Sequence, residues 1–501
     1  MNEKLQELKN RLAVVGDLHS SAALLGWDQQ TYMPPKGAPA RAEQLATLER
    51  LGHEHFTDPA VGKLLDELAD YAAKLPYDSD EASLIRVTRR DYDKAKRLPA
   101  EYVEELSRTT SIAFEAWHQA RKESNFKLFQ PHLEKIVALK IREANYLGYQ
   151  ERVYDALLDE YEPEVTTAQV EAIFAPLKKD LTALVAAIAK KPGKADDAVL
   201  HRKYDEKKQW DFGIEVIQRL GFDMQSGRQD KSVHPFTTGF ALNDVRITTR
   251  VDKNFLSSML FGSIHETGHA LYDMGFRPEL DRTPLGGGAS LGVHESQSRM
   301  WENIVGRSRG FWKFWFPRLR KVFPRQLDDQ TLNSFYRAIN KVSPSFIRVE
   351  ADEVTYSLHI MLRFELENML IEGKLKPADV PEAWNAKMKE YLGIVPPNDA
   401  LGCLQDVHWS YGSIGYFSTY SLGSMFAVQL WEKALKDHPT LPAEIEKGEF
   451  GTLLKWLRSN VHTHGRKFTL DELARKVTGE PLQSKSYVAY LKKKFGDIYG
   501  V

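Results

Sequence analysis

The sequence predicts a mostly α fold organised as one large domain. Apolar residues recur at helical spacing through almost all of the first 230 residues. A single stretch, 237–250, carries a convincing strand alternation. No shift in composition, low-complexity segment or internal repeat marks a boundary along the 501 residues. The chain divides by content only: a mainly helical part over 1–230, a motif-bearing part over 231–423, and closing helices over 424–501.

Taken in order, Leu5, Leu8, Leu12, Val15 and Leu18 form a stripe that predicts a helix over 1–25. The run Trp27 to Gly37, with Pro34 and Pro35, predicts a break before a second helix from about Ala40. Charged helical stretches follow at 61–75, 80–97, 99–124 and 128–147. Thr166 or Thr167 is the expected N-cap of another helix, and Lys190 to Gly193 the turn after it. Two short runs flank Asn243-Asp244 as a hairpin, with Val245, Ile247 and Thr249 on one face and Arg246, Thr248 and Arg250 on the other. A helix is expected over 255–275, burying Leu256, Met259, Leu260 and Ile264 and stopping at Gly275. Gly286-Gly287-Gly288 reads as a flexible loop before a further helix near Val293 to Asn303. Later helices are broken at Pro344, Pro377, Pro396-Pro397 and the aromatic, glycine-containing stretch 409–423.

The bulk composition narrows the function. A hydrophobic share of 42% and a charged share of 27% describe a soluble globular protein. A net charge of −1 without a long basic run gives no footprint for nucleic acid. No run of eighteen apolar residues appears and the start lacks an apolar signal core, so a cytoplasmic protein without a membrane partner is expected. The one cysteine, Cys403, excludes an intramolecular disulfide and a Cys-based zinc cage. It reads as a small buried residue. A bound metal would need histidine and carboxylate ligands.

Such ligands are present in the 255–275 helix as His265-Glu266-Thr-Gly-His269. Residues four apart on a helix differ by about 40° around the axis and about 6 Å along it. His265 and His269 therefore share a face and can hold one ion, with Glu266 beside it as the base for a metal-bound water. A catalytic zinc usually takes a third protein ligand. Glu295 and Glu302, both on the next helix, are the candidates, and spacing alone does not separate them.

Further motifs occur in order from 234 to 409: His234-Pro-Phe, Asp244-Val-Arg246-Ile-Thr248, the zinc motif, His294-Glu295-Ser-Gln297, Ile347-Arg348-Val-Glu-Ala-Asp352 and Gly402-Cys-Leu-Gln405-Asp406-Val-His408-Trp409. With them and the Trp27 to Pro34 stretch, the chain resembles the M32-family metallocarboxypeptidases. The resemblance implies His265, His269 and Glu295 as metal ligands and Glu266 as general base and proton shuttle. It implies one Zn2+ per chain, with Co2+ or Mn2+ able to occupy such a site. It also implies a single large helical domain with a deep active-site groove and a small sheet beside the zinc, similar to neurolysin and angiotensin-converting enzyme, and a homodimer.

The implied reaction removes carboxy-terminal residues from peptides with broad tolerance, stalling at proline. It needs a donor to the oxyanion; Tyr411, Tyr416 and Tyr420 are candidates, with Tyr420 favoured because enzymes of similar fold use a late tyrosine. It also needs a cation for the substrate carboxylate, which arginine's planar fork suits. Arg246 and Arg348 are the candidates, against internal pairs with Asp244 and Asp352 respectively. His234 and His408 read as second-sphere or transition-state donors or as structural histidines, and Asp273 and Asp406 as groups that could orient ligand imidazoles, against a solvated or capping role that is favoured for Asp273. Two other readings share these residues: an oligopeptidase that cuts internally, and a non-catalytic peptide-binding protein, against which an intact Glu266 argues.

Overall fold

In the computed structural model, which describes residues 3–501, helices occupy nearly every stretch with helical apolar spacing. The first helix, Glu3–Thr31, buries Leu5, Leu8, Leu12 and Val15 as the stripe requires. It continues through Trp27, because that indole is buried and the first true obstacle is Pro34-Pro35. Thr166 is the N-cap of Thr167–Ala189: its hydroxyl accepts from the Gln169 amide, and the Gln169 side chain accepts from the Thr166 amide. The stretch 409–423 is broken only in part, since a helix begins at Ser418 and places Tyr420 in its first turn.

The chain folds as two compact units, each assembled from three segments. The first takes the chain up to Lys96, then Asp197–Ile339 and Gln429–Pro481. Its first-helix leucines pack with Val61, Leu64 and Leu68 and with Leu280 and Leu285. It also holds the sheet, of order β1-β3-β2: β1 is Gly227–Lys231, β2 Thr237–Ala241 and β3 Asp244–Thr249. The expected hairpin is β2–β3, paired antiparallel. β1, parallel to β3, was not expected, because Gly-Arg-Gln-Asp-Lys shows no apolar alternation. Val245 and Ile247 point into a core with Ile217, Phe222 and Ala270, which seats the sheet on the helix that carries the zinc motif. Thr248, expected opposite that core, is nevertheless buried, because Ser232 and the backbone of Phe236 close over its hydroxyl.

The second unit comprises Arg97–Asp196, Asn340–Val428 and Leu482–Val501. It is organised around Tyr356–Ile371, a helix buried on nearly every side. That burial encloses Arg363 and Glu367, so both must find partners inside the unit.

Candidate metal centre

The motif helix, Leu256–Asp273, buries Met259, Leu260 and Ile264, which leaves His265 and His269 on its less buried face. A second helix, Leu291–Arg299, begins at Ser290, whose hydroxyl accepts from the Val293 amide. The two helices meet at Gly268. A Cβ there would lie 2.6 Å from Ser298 Cα and 2.7 Å from the Gln297 carbonyl oxygen, so only glycine permits this approach. The contact brings Glu295 over the histidines. Its Oε2 is 3.6 Å from His265 Nε2 and 3.4 Å from His269 Nε2.

These donors fit one small divalent ion. Ligand atoms about 2.1 Å from a tetrahedral zinc lie about 3.4 Å apart, and the three donors here all fall within 4.8 Å of one another. Two imidazoles and a carboxylate also match the ligand chemistry of a catalytic zinc. Arg299 Nε donates to Glu295 Oε1 at 2.6 Å, which leaves Oε2 directed at the imidazoles. Burial alone would raise the Glu295 carboxyl. Arg299, His265 and His269 outweigh it and hold the group well below the usual carboxylate range.

Glu302, the rival third ligand, is also in the site but on the other side of His265. Its Oε2 is 2.9 Å from His265 Nδ1, and its Oε1 accepts from Arg307. It stands there because the helix widens into a π turn over Met300–Gly306. Burial opposes its ionisation, yet His265, Arg307 and Arg299 bring it down to about 2. Asp273 does not reach a ligand imidazole; its Oδ1 is 2.9 Å from His294 Nε2. Asp406 orients no imidazole either, as both its oxygens accept from arginines.

Glu266 is 6% exposed. Thr237 Oγ1, on β2, donates to its Oε2 at 2.7 Å and lies 3.0 Å from its carbonyl oxygen. Sequence reasoning missed Thr237; its position directly after His234-Pro-Phe was the available signal. Arg246 makes the internal pair considered for it, with two 2.8 Å bonds to Asp244, and lies 4.4 Å from the Trp27 ring and 5.0 Å from Phe240. His234 is exposed, in the segment leading into β2.

The second unit gathers a different set. Arg348 pairs with Asp406 rather than Asp352: its Nε and Nη2 reach Oδ1 at 3.1 and 2.9 Å, and Nη1 donates to Tyr356. Asp352 instead accepts from the backbone amides of Ser343, Val354 and Thr355. Arg363 takes the other oxygen of Asp406 at 2.7 Å. Two guanidiniums on one part-buried carboxylate leave a net positive charge and hold Asp406 far below its ordinary range against desolvation. Burial and the Arg348 charge press His408 down to about 3, so it is neutral at physiological pH. Its Nε2 is 3.4 Å from the Tyr420 hydroxyl. Tyr416 packs on both His408 and Tyr420, whereas Tyr411 is exposed and stacked on Phe114. Cys403 is buried and its thiol is pushed up by that burial, as a small core residue would be.

Glu367 closes this unit's polar interior by accepting from the Tyr154 hydroxyl at 2.5 Å, Trp409 Nε1 at 2.8 Å and the Gly415 amide at 3.0 Å. Burial nevertheless lifts it from 4.5 to about 7. A carboxyl raised in the fold stabilises it below the unfolded value, and that contribution is lost as pH rises through the folded one. Wild-type stability is therefore expected to fall by roughly 3 kcal/mol from this group between pH 4.5 and 8. Glu367→Gln should flatten that part of the slope in denaturant titrations; an unchanged slope would assign the pH dependence elsewhere.

A histidine pair and carboxylate on adjoining helices, with a buried glutamate beside them and a small sheet against the motif helix, define a metallopeptidase-type centre. The sequence model of the Carboxypeptidase Taq (M32) metallopeptidase family matches residues 7–495, and the chain belongs to that family. Thermostable carboxypeptidase 1 of Thermus thermophilus is 42% identical over 493 residues, covering 96% of each chain. Carboxypeptidase 1 of Bacillus subtilis is 38% identical over 99% of this chain and 98% of its own. Among solved structures, the M32 carboxypeptidase of Deinococcus radiodurans superposes with a TM-score of 0.96 at 41% identity over the whole of both chains. The chain is thus a metallocarboxypeptidase by family. Among the described residues, no helix is long and apolar enough to cross a membrane.

Proposed function

We propose that this protein is a zinc-dependent carboxypeptidase that releases carboxy-terminal residues from peptides, with broad side-chain tolerance and no action at proline. The observation that carries the proposal is the convergence of His265, His269 and Glu295 within ligand distance of one another, with Glu266 buried beside them. The family match over 7–495 supports reading the whole chain, 1–501, as one peptidase domain. A divalent ion bound there supplies Lewis acidity and a water acidic enough to lose its proton near neutral pH.

The protein's own groups do the rest. Glu266 takes the proton and hands it to the leaving amine. Thr237 occupies Oε2 of that carboxylate, which leaves Oε1 to receive the proton. Tyr420 donates to the developing oxyanion, next to a neutral His408 that can pass or receive a hydrogen bond without adding charge. Arg246 and Arg348 recognise the terminal carboxylate, and His234 and His408 contact the peptide. Arg246 keeps its Nη1 donors outside the pair with Asp244, and Arg348 belongs to a cluster with excess positive charge, so each retains capacity for a second carboxylate. The enzyme acts in the cytosol as a homodimer on peptide substrates. Cobalt or manganese can replace zinc on this ligand set.

Mass spectrometry of a peptide ladder tests the reading. Sequential loss from the carboxyl end is expected, abolished by a chelator and restored by zinc. Carboxy-amidated peptides should be cleaved far more slowly. Internal cuts, or equal rates on amidated peptides, would overturn the exopeptidase assignment.

A further inference from the structure

We infer that His294 is a positioning residue for the metal centre: Asp273, His294 and His269 form a hydrogen-bonded relay that fixes the tautomer and ring plane of His269. The inference rests on the metal-ligand reading above and extends it to a residue that is not itself a ligand. His294 Nδ1 lies 2.6 Å from His269 Nδ1, and His294 Nε2 lies 2.9 Å from Asp273 Oδ1. The two imidazole rings are 4.6 Å apart and inclined by 30°.

Proton counting along the relay has one outcome for neutral rings. The Asp273 carboxylate only accepts, so His294 must carry its proton on Nε2. A neutral imidazole with its proton on Nε2 has a bare Nδ1, which can only accept. The proton between the rings therefore sits on His269 Nδ1. His269 Nε2 is left with its lone pair, 3.4 Å from Glu295 Oε2, as a metal ligand requires. The two ligand imidazoles are thus served differently. Glu302 meets His265 directly, whereas the His294 ring stands between His269 and the Asp273 carboxylate.

The surroundings of the His294 ring support a built arrangement. Residues 286–288 are not a loose tether. A Cβ on Gly288 would stand 2.9 Å from His294 Cδ2 and 3.2 Å from Tyr272 Cε1, and one on Gly286 would stand 2.6 Å from the Leu280 carbonyl oxygen. The Tyr272 ring lies 5.3 Å from His294, and its hydroxyl accepts from the Ala289 amide. The glycines let the backbone pass directly against the ring and prevent it from turning.

Zinc competition titrations on the full chain, read together with the visible spectrum of the Co2+-loaded protein, test the relay. His294→Phe keeps the shape and removes the acceptor; zinc binding should weaken about 10- to 100-fold, the range for loss of an outer hydrogen-bond partner, with altered Co2+ bands. His294→Asn places a carbonyl oxygen where Nδ1 stands and should recover most of the affinity, which a merely structural role would not predict. Melting of the metal-free variants establishes that they fold. If His294→Phe does not fold, Asp273→Ala decides: weaker zinc binding is expected, and unchanged affinity overturns the relay. Wild-type affinity and an unchanged Co2+ spectrum in a folded His294→Phe protein overturn it equally. Failure of the metal reading itself would look different, since zinc affinity would then survive His265→Ala.

Discussion

Glu266→Gln is expected to bind zinc at the wild-type stoichiometry and to lose turnover by about 10²- to 10⁴-fold, the range for removing a general acid–base group. The substitution is nearly isosteric, and an amide oxygen can still accept from Thr237 Oγ1, now 2.7 Å from Oε2. Glu266 is not among the three converging ligand residues, so metal content should not change. The variant separates the hydrolase from a peptide-binding protein on the same scaffold. Steady-state kinetics and metal analysis on one preparation check both halves. Full activity in the glutamine variant would remove Glu266 from the chemistry.

Gly268→Ala should weaken the site by another route. In an exposed helix, alanine would gain about 1 kcal/mol over glycine. Here its Cβ would stand 2.6 to 2.9 Å from three backbone atoms of Gln297 and Ser298, which cannot rotate away. Overpacking of this kind costs about 1–3 kcal/mol, so it outweighs the propensity gain and the helices must separate. The atom gap to be restored is about 1 Å, against a ligand tolerance of a few tenths of an ångström. Zinc affinity should therefore fall at least 10-fold, with a lowered melting temperature. A variant that is more stable than wild type and binds zinc equally well would show that the helix contact does not place Glu295.

What could be read from the sequence follows from the range of the interactions involved. The motif pair His265 and His269 was legible because helical spacing alone puts both on one face. The helices were legible for the same reason, and the Thr166 cap because its partner Gln169 is three residues away. β1 was not, because its place is set by pairing with β3 and not by its own polar sequence. Glu295 and Glu302 could not be told apart by counting residues. The close approach at Gly268 and the wider turn at Met300–Gly306 give them opposite sides of one imidazole, and neither is a local property of the chain. The carboxylate that local sequence offers Arg348 is Asp352, four residues away, whereas its partner Asp406 lies 58 residues along. Long-range charge pairing leaves no periodic trace.

The turn at Met300–Gly306 also bears on how this site can vary between relatives. A π turn holds one residue more than the α-helix around it. Removing any single residue from this stretch would let the backbone relax into ordinary helix, at little cost to its own hydrogen bonds. The helix beyond the turn would keep its direction, because the π turn absorbs the lost residue, and only residues inside the turn would change their angle about the axis relative to Glu295. For a deletion ahead of Glu302, that carboxylate would swing away from His265 Nδ1, 2.9 Å from it in the intact protein. Exchange of one side chain for another is a mild change by comparison. On the ligand role proposed for Glu295, the spacing between Glu295 and Glu302 matters as much as the two residues themselves, and a one-residue gap in this stretch of a relative predicts a differently supported His265.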